Sequence, residues 1–158
     1  MRELTLILHF LGLGLLVSAV VAGILLNRQY RKATDLQTKA LLLRTARPIG
    51  LLSPIGMGVM LITGIGNMEF RGVGILTEGW LSAKLVFFAV AVVGGVLMAI
   101  ASKKRGALVH ALAAGEAGPD SERRLAALET QITLGYVILP LLLIAILYLS
   151  VYGRLGGQ

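Results

Sequence analysis

The sequence has no cysteine, only two histidines and eight acidic residues, and few aromatic side chains among its 158 residues. Without cysteine the chain can form no disulfide, thiolate nucleophile, iron–sulfur cluster or cysteine-ligated zinc site. Metal chemistry would therefore depend on His9, His110, methionines and carboxylates. This narrow choice of ligands restricts the metal centres that the chain could build.

Charge is also missing from four long apolar stretches, and 56% of all residues are hydrophobic. Each stretch reaches the roughly 20 residues that a helix needs to cross a hydrocarbon core of about 30 Å. The sequence therefore predicts an all-α polytopic membrane protein, a four-transmembrane-helix bundle that forms a single membrane domain over residues 1–158. The predicted spans are residues 4–27, 48–68, 80–102 and 130–153.

Lysine and arginine are distributed unevenly between the loops. Eleven lie in the loops after spans one and three: Arg28, Arg31, Lys32, Lys39, Arg44, Arg47, Lys103, Lys104, Arg105, Arg123 and Arg124. The opposite side carries only Arg2, Arg71 and Arg154. By the positive-inside rule, both termini should face outward and both basic loops the cytoplasm of a bacterial-type inner membrane. The net charge of +7 is thus a topology signal, and no nucleic-acid partner is expected, because no aromatic platform interleaves the basic residues.

Small residues at four-residue spacing predict close helix packing, since helices in lipid associate through close backbone approach. Two such sets occur, one in span one and one in span three: Gly14, Ser18 and Ala22; and Ala91, Gly95 and Ala99. In span two, Gly58 and Gly66 lie eight residues apart on a common face. A tight four-helix bundle is the simpler interpretation. A flat cofactor between the small-residue faces is the alternative.

Lys84 is the one charged residue inside a predicted span, and an intramembrane charge is first examined for a functional partner. At 1.5 Å per residue, Lys84 lies about 6 Å below Trp80 and His9 about 7 Å below Leu4. Both spans begin outside, so both side chains are expected in the outer leaflet. The inner half of every span is expected to be almost wholly aliphatic.

Two interpretations of this outer polar group stay open. A neutral imidazole can bind haem iron, and a nearby ammonium can neutralise a propionate, which makes His9 a candidate metal ligand and both residues candidate catalytic residues. Asn67 and Tyr148 reach the same end and complete the candidate cofactor-binding set with His9 and Lys84. Alternatively, Lys84 snorkels to the headgroups, His9 makes a structural hydrogen bond, and Tyr148 is an interfacial belt aromatic.

Three sequence features resemble the HemJ-type protoporphyrinogen oxidases and the related CopD-like membrane proteins. These are Leu8-His9-Phe10, Pro54 in span two after a basic stretch, and residues 80–85, which read Trp-Leu-Ser-Ala-Lys-Leu. The resemblance covers most of the chain. It implies a haem b cofactor, oxidation of protoporphyrinogen, and functional roles for His9 and Lys84.

Three functions remain as hypotheses. The first is a haem-binding or porphyrin-handling protein, with an oxidase as its enzymatic form. The second is a non-catalytic accessory subunit of a larger electron-transfer, photosynthetic or respiratory membrane complex, or a homo-oligomer, favoured by the small size and the smooth helix faces. The third is a small-solute or metal transporter, which is disfavoured because no polar path crosses the inner half of the bundle.

Overall fold

The computed structural model describes residues 2–69 and 78–154, with only the backbone described at Arg2, Glu69 and Arg154. The described residues form five α-helices and no strand. The helices are α1 (Arg2–Lys32), α2 (Leu36–Gly50), α3 (Leu52–Glu69), α4 (Gly79–Ala113) and α5 (Ser121–Arg154). Arg71 of the predicted outer loop lies outside the described residues.

Four helical segments are long and apolar enough to cross a membrane, as predicted: α1, α2 together with α3, α4 and α5. Each exceeds the predicted span because the helices extend beyond the hydrocarbon at the basic end. His110, for example, lies in α4 rather than in a loop. We name the two ends of the bundle outer and cytoplasmic, as the charge distribution predicts.

Local sequence signals explain the helix ends at the cytoplasmic side. The side chain of Asp35 caps α2 by accepting a hydrogen bond of 2.7 Å from the Thr38 backbone N–H, and this bond lowers the pKa of the carboxyl. Gly115 ends α4 with φ of +73°, a left-handed conformation that only glycine adopts without strain. The N–H of Glu116 then bonds the carbonyl of Ala111 at 3.0 Å, which satisfies a terminal carbonyl of the helix.

The second span begins differently from the prediction. Pro48 was expected to start it, but Pro48 lies inside α2, and the helix is interrupted at Leu51. Pro54 has no N–H to donate to the preceding turn, so the regular hydrogen bonding is broken near this point. Leu51 keeps helical backbone angles, so α2 and α3 follow each other with little change in path.

The first pair of antiparallel helices is α1 with α3, which contact each other extensively. They cross most closely at two buried glycines, Gly12 and Gly56. A Cβ on Gly56 would lie 2.7 Å from the Gly12 carbonyl oxygen, and one on Gly12 would lie 3.0 Å from the Gly56 carbonyl oxygen. Only the absence of both side chains permits this approach.

The second pair is α4 with α5, which also contact each other extensively. Here large side chains of one helix are seated on glycines of the other. Met98 covers Gly135, and Leu139 lies 3.2 Å from the position of a Cβ on Gly94. Near the outer end, the Trp80 ring occupies the space beside Gly153.

The predicted small-residue faces are only partly those that pack. In the described part of the chain, no atom of a neighbouring helix lies within 4 Å of a Cβ on Gly14 or Gly58, and Ser18 is exposed, so these residues face away from the bundle. Gly66 does pack, with a Cβ position 3.4 Å from Thr5, and Gly95 approaches Met57. Small residues occur on several sides of each helix, and four-residue spacing alone does not identify the side that meets a neighbour.

The two pairs are joined mainly at the cytoplasmic end, where α2 contacts α4 and α1 contacts α5. The buried residues Tyr30, Val109 and Leu125 form a hydrophobic cluster there, one each from α1, α4 and α5. Further out, an apolar cleft separates the pairs, with Met57 and Met60 of α3 on one wall and Phe88 and Gly95 of α4 on the other. The bundle is therefore two helix pairs joined at one end.

Candidate functional site

His9 is oriented by a hydrogen bond to the neighbouring helix. Its Nδ1 lies 2.8 Å from Oγ1 of Thr63, a buried residue of α3. The Thr63 hydroxyl donates its own proton to the Val59 carbonyl at 2.6 Å, so its oxygen is the acceptor for His9. This assigns the ring proton to Nδ1 and the lone pair to Nε2.

The glycine that follows Thr63 leaves space beside the imidazole. A Cβ on Gly64 would lie 3.8 Å from Cε1 of His9, which is ordinary van der Waals contact. A larger side chain at this position would cover that edge of the ring. Thr63 thus fixes the tautomer of the imidazole, and the glycine that follows it packs beside the ring edge.

Lys84 lies in the second pair, in the second turn of α4, and its side chain is half-buried. Trp80, one turn nearer the outer end, donates its indole N–H to Glu78 at 3.0 Å. This bond ties the Trp80 ring to the residue that precedes α4. His9 and Lys84 therefore belong to different helix pairs.

Neither side chain is among those that line the apolar cleft. Thr63, the partner of His9, is three residues outward from Met60 of the cleft wall, and Lys84 is four residues outward from Phe88. Each is thus about one helical turn beyond the apolar lining. His9, bonded to Thr63, and Lys84 thus lie on different helix pairs, outward of the apolar lining.

The other two candidate cofactor-binding residues have different surroundings. Asn67 is half-buried and follows Thr63 by one turn, so it continues the same strip of α3 toward the outer end. Tyr148 is 66% exposed and stacks on Tyr152 with ring centroids 6.2 Å apart. An exposed stacked pair at this depth favours the belt-aromatic interpretation of Tyr148.

Within the described ranges, no three histidine or acidic side chains come close enough to hold a metal ion together. A metal at His9 would therefore need most of its ligands from another molecule. A tetrapyrrole does this, because its four ring nitrogens leave only axial positions for the protein.

A second polar cluster lies at the cytoplasmic end, outside the predicted spans except for Asn27 and Tyr136. Its centre is Arg105 of α4, which is only 4% exposed and donates from Nη1 to Oδ1 of the buried Asn27 at 2.8 Å. The Arg105 guanidinium carbon lies 4.4 Å from the centre of the Tyr30 ring, a cation–π distance. Tyr136 of α5 borders the same small cavity.

Lys39 of α2 and Glu129 of α5 complete this cluster. Their charged groups are 3.8 Å apart, and the Lys39 ammonium lies 5.1 Å from the centre of the Tyr30 ring. Tyr30 therefore lies between two cations, one from α2 and one from α4. The cluster links both helix pairs through side chains of four different helices.

The charge count conceals this cluster, because Arg105 and Lys39 are both assigned to basic loops by the positive-inside rule. One spacing pattern in the sequence of α1 could have identified part of this cluster. From His9, steps of three or four residues along α1 lead through Gly12, Leu16, Ala19 and Gly23 to Asn27 and Tyr30. This is the spacing of one helix face, so His9 and the buried polar residues at the other end of α1 share the side that meets the bundle.

Comparison with known proteins identifies no family for this chain. No protein-family model matches the chain, and no curated protein and no solved structure matches it either.

Proposed function

We propose that this protein binds haem b or a closely related tetrapyrrole in the outer leaflet, with His9 as an axial ligand through Nε2. The observation that carries the proposal is the hydrogen bond from His9 Nδ1 to Thr63. Metal-ligating histidines characteristically donate their other ring N–H to a fixed acceptor, which sets the tautomer and the ring orientation. Thr63 supplies such an acceptor from a buried position on the adjacent helix.

The scarcity of other ligands favours a tetrapyrrole over a bare metal ion. One oriented imidazole cannot by itself hold a metal ion firmly, but it suffices for an iron that the macrocycle already holds. Lys84, on the facing helix pair, has the charge to neutralise a propionate at the headgroup level. The apolar cleft walls suit the remainder of a flat, mostly apolar molecule.

The cleft has a volume of about 40 Å³, which is smaller than a tetrapyrrole. Binding therefore requires the outer ends of the two helix pairs to separate. The packing allows this, because each pair has its own close internal contacts and the pairs are joined mainly at the cytoplasmic end. Haem, when bound, supplies one-electron redox chemistry.

The resemblance to HemJ-type proteins extends this proposal to the oxidation of protoporphyrinogen. In that case His9 and Lys84 are the residues with a direct role, and Asn67 is the nearest further polar group on α3. Activity of purified protein with this substrate, lost in both His9→Ala and Lys84→Met, would support the extension.

The proposal is tested by expressing the protein with an ample haem supply and purifying it in mild detergent. We expect a Soret band whose intensity corresponds to about one haem per chain, identified as haem b by extraction into pyridine. A folded, colourless protein that also fails to take up added haemin would contradict the proposal.

A role as an accessory subunit is the second candidate, and the exposed face of α1 favours it. Gly14 and Ser18 are exposed, four residues apart, and within residues 2–69 and 78–154 no side chain covers Gly14. Such a face lets another transmembrane helix approach closely. If it binds a partner subunit, Gly14→Leu should abolish co-purification under mild extraction without lowering the melting temperature of the isolated chain. Recovery of the wild-type protein under mild extraction as a monomer that contains haem and no partner subunit would contradict this role.

A further inference from the structure

A group of exposed cations surrounds part of the bundle at its cytoplasmic end, and the proposed haem site does not use it. We call this group the basic belt. It consists of Arg28 of α1, Arg44 and Arg47 of α2, and Lys103 and Lys104 of α4, all of which are exposed. Arg28, Arg47 and Lys103 adjoin the predicted ends of the first three membrane spans. These cations therefore lie at the boundary between hydrocarbon and headgroups.

Contacts between helices place the cations of α1 and α4 at a common depth. The bond between Arg105 and Asn27 fixes the position of α4 along α1. Lys103 and Lys104 therefore lie beside the turn of α1 that leads to Arg28.

The cations of α2 lie near the same depth. The Lys39 ammonium is 5.1 Å from the centre of the Tyr30 ring, which sets the position of α2 along α1. Arg44 and Arg47 follow Lys39 by five and eight residues in the direction of the membrane. At 1.5 Å per residue, all cations of the belt fall within about 10 Å along the bundle axis. Because α2 contacts both α1 and α4, its cations lie between those of the other two helices.

An exposed apolar stripe leads into the belt on each of these helices. The stripes are Val21 and Leu25 on α1, Leu51 and Ile55 where α2 continues into α3, and Leu97 and Ile100 on α4. Steps of three or four residues connect them to Arg28, Arg47 and Lys104, so each stripe and its cation lie on the same side of the helix. The stripes face the lipid tails, and the cations at their ends therefore face the headgroups.

Protein carboxylates leave the belt unneutralised. Within residues 2–69 and 78–154, no carboxylate lies within salt-bridge distance of any of its five cations. Asp35 caps α2, and Glu129 forms its ion pair with Lys39. The positive charge of the belt is thus available to an anion outside the chain.

The fourth helix has no such cations at this depth. The residue before the predicted span of α5 is Glu129, and the exposed residues that follow it, Thr130 and Gln131, are uncharged. Arg123 and Arg124 lie nearly two turns further from the membrane, at least about 9 Å beyond Thr130. The belt is therefore restricted to α1, α2 and α4.

We propose that the basic belt binds anionic phospholipids of the cytoplasmic leaflet, with their phosphates at the cations and their acyl chains along the apolar stripes. Such a lipid matches both parts of the surface, because it joins an anionic headgroup to an apolar tail. Arginine can donate two parallel N–H groups to phosphate oxygens, so Arg44 and Arg47 of the central helix should contribute most. An acidic segment of a partner protein would match the cations but not the stripes, which lie within the hydrocarbon.

The test compares two exposed leucines at similar depth, Leu51 below the belt and Leu134 on α5, which are 60% and 55% exposed. Each is replaced by tryptophan in a Trp80→Phe background, and the full chain is reconstituted into vesicles of phosphatidylglycerol and phosphatidylcholine. Either lipid is supplied with brominated acyl chains, which quench the fluorescence of a tryptophan in contact with them. We expect a relative binding constant of roughly fivefold in favour of phosphatidylglycerol at Leu51→Trp, the effect of about 1 kcal/mol for one basic residue near an anionic headgroup. At Leu134→Trp, both lipids should quench equally.

Two double variants identify the cations responsible. Arg44→Gln with Arg47→Gln should remove the preference at Leu51→Trp. Arg123→Gln with Arg124→Gln removes the same charge from α5 and should leave the preference intact. Both pairs of arginines are exposed, so neither double variant should lower the melting temperature.

Three results would overturn the proposal. Equal quenching of Leu51→Trp by both lipids would do so and would leave an acidic protein segment as the alternative partner of the belt. An equally strong preference at Leu134→Trp would show attraction to the net charge of the whole cytoplasmic end. A preference that survives Arg44→Gln with Arg47→Gln would show that the belt is not the binding surface.

Discussion

Asn27 of α1 and Arg105 of α4 connect the two helix pairs through a buried hydrogen bond of 2.8 Å. The bond lies at the cytoplasmic end, next to the hydrophobic cluster around Tyr30, Val109 and Leu125. Nearer the middle of the bundle, an apolar cleft lies between the pairs. The joint at Asn27 and Arg105 therefore lies at the end of the bundle opposite to His9 and Lys84.

We expect Asn27→Ala to lower the free energy of unfolding by about 1–3 kcal/mol, because it leaves the buried Arg105 guanidinium without its acceptor. Chemical or thermal unfolding in detergent measures the effect. Gln29→Ala, on the exposed side of the same helix turn, is the matched control and should change little. Equal stability of Asn27→Ala and wild type would show that this bond does not hold the pairs together.

Substitution of Gly56 by alanine should separate α1 from α3. The added Cβ would lie 2.7 Å from the Gly12 carbonyl oxygen, and the backbone of α1 cannot yield as a flexible side chain would. We expect a loss of about 1–3 kcal/mol in unfolding free energy. Gly58→Ala, two residues further along the same helix, would bring its Cβ within 4 Å of no neighbouring helix among the described residues and should be neutral. If both variants have the same melting temperature, the crossing point is elsewhere.

The orientation in the membrane can be tested by labelling single introduced cysteines, because the chain has no native cysteine. A single cysteine at Glu116, in the turn between α4 and α5, should react with a membrane-impermeant maleimide only after the membrane is opened, because this turn lies between basic segments. A cysteine introduced next to Leu4 should react in intact cells. The reverse pattern would move His9 and Lys84 to the cytoplasmic leaflet.

The four spans could be predicted from the sequence because hydrophobic length is set by the bilayer and does not depend on the neighbouring helices. The packing faces could not be predicted in the same way. Gly12 and Gly14 are both glycines of the first apolar span, and the sequence does not distinguish them, yet only Gly12 contacts α3. The rotation of a helix about its axis depends on how its surface fits the surface of its neighbour. Residue spacing within one helix does not include the shape of that neighbour.

The candidate site was predictable in part. His9 and Lys84 follow from their depth, but the acceptor for His9 was only one of several polar residues near the outer end. Thr63 is identified only when α1 and α3 are paired in the register that the Gly12–Gly56 crossing sets. Arg105 could not be recognised, because a buried arginine at a helix end has the same sequence signature as a loop arginine that faces the cytoplasm.

If Lys84 binds a propionate, Lys84→Met should weaken haem retention by about 1–3 kcal/mol, since it leaves that carboxylate without a partner at low dielectric. The measurement is the transfer of haem from the protein to an excess of apomyoglobin. Lys104→Met, an exposed cation of the same helix, is the control and should release haem at the wild-type rate. Equal rates for Lys84→Met and wild type would remove Lys84 from the site.

The visible absorption spectrum of haem-loaded His9→Ala tests the central claim most directly. Loss of the imidazole removes the axial nitrogen from the iron, so the Soret band should disappear or shift. Thr63→Val, which removes the acceptor for Nδ1, should shift it less, and His110→Ala and Tyr148→Phe should leave it unchanged. A His9→Ala protein with the same Soret band and the same haem content as wild type would contradict the assignment of His9 as the haem ligand.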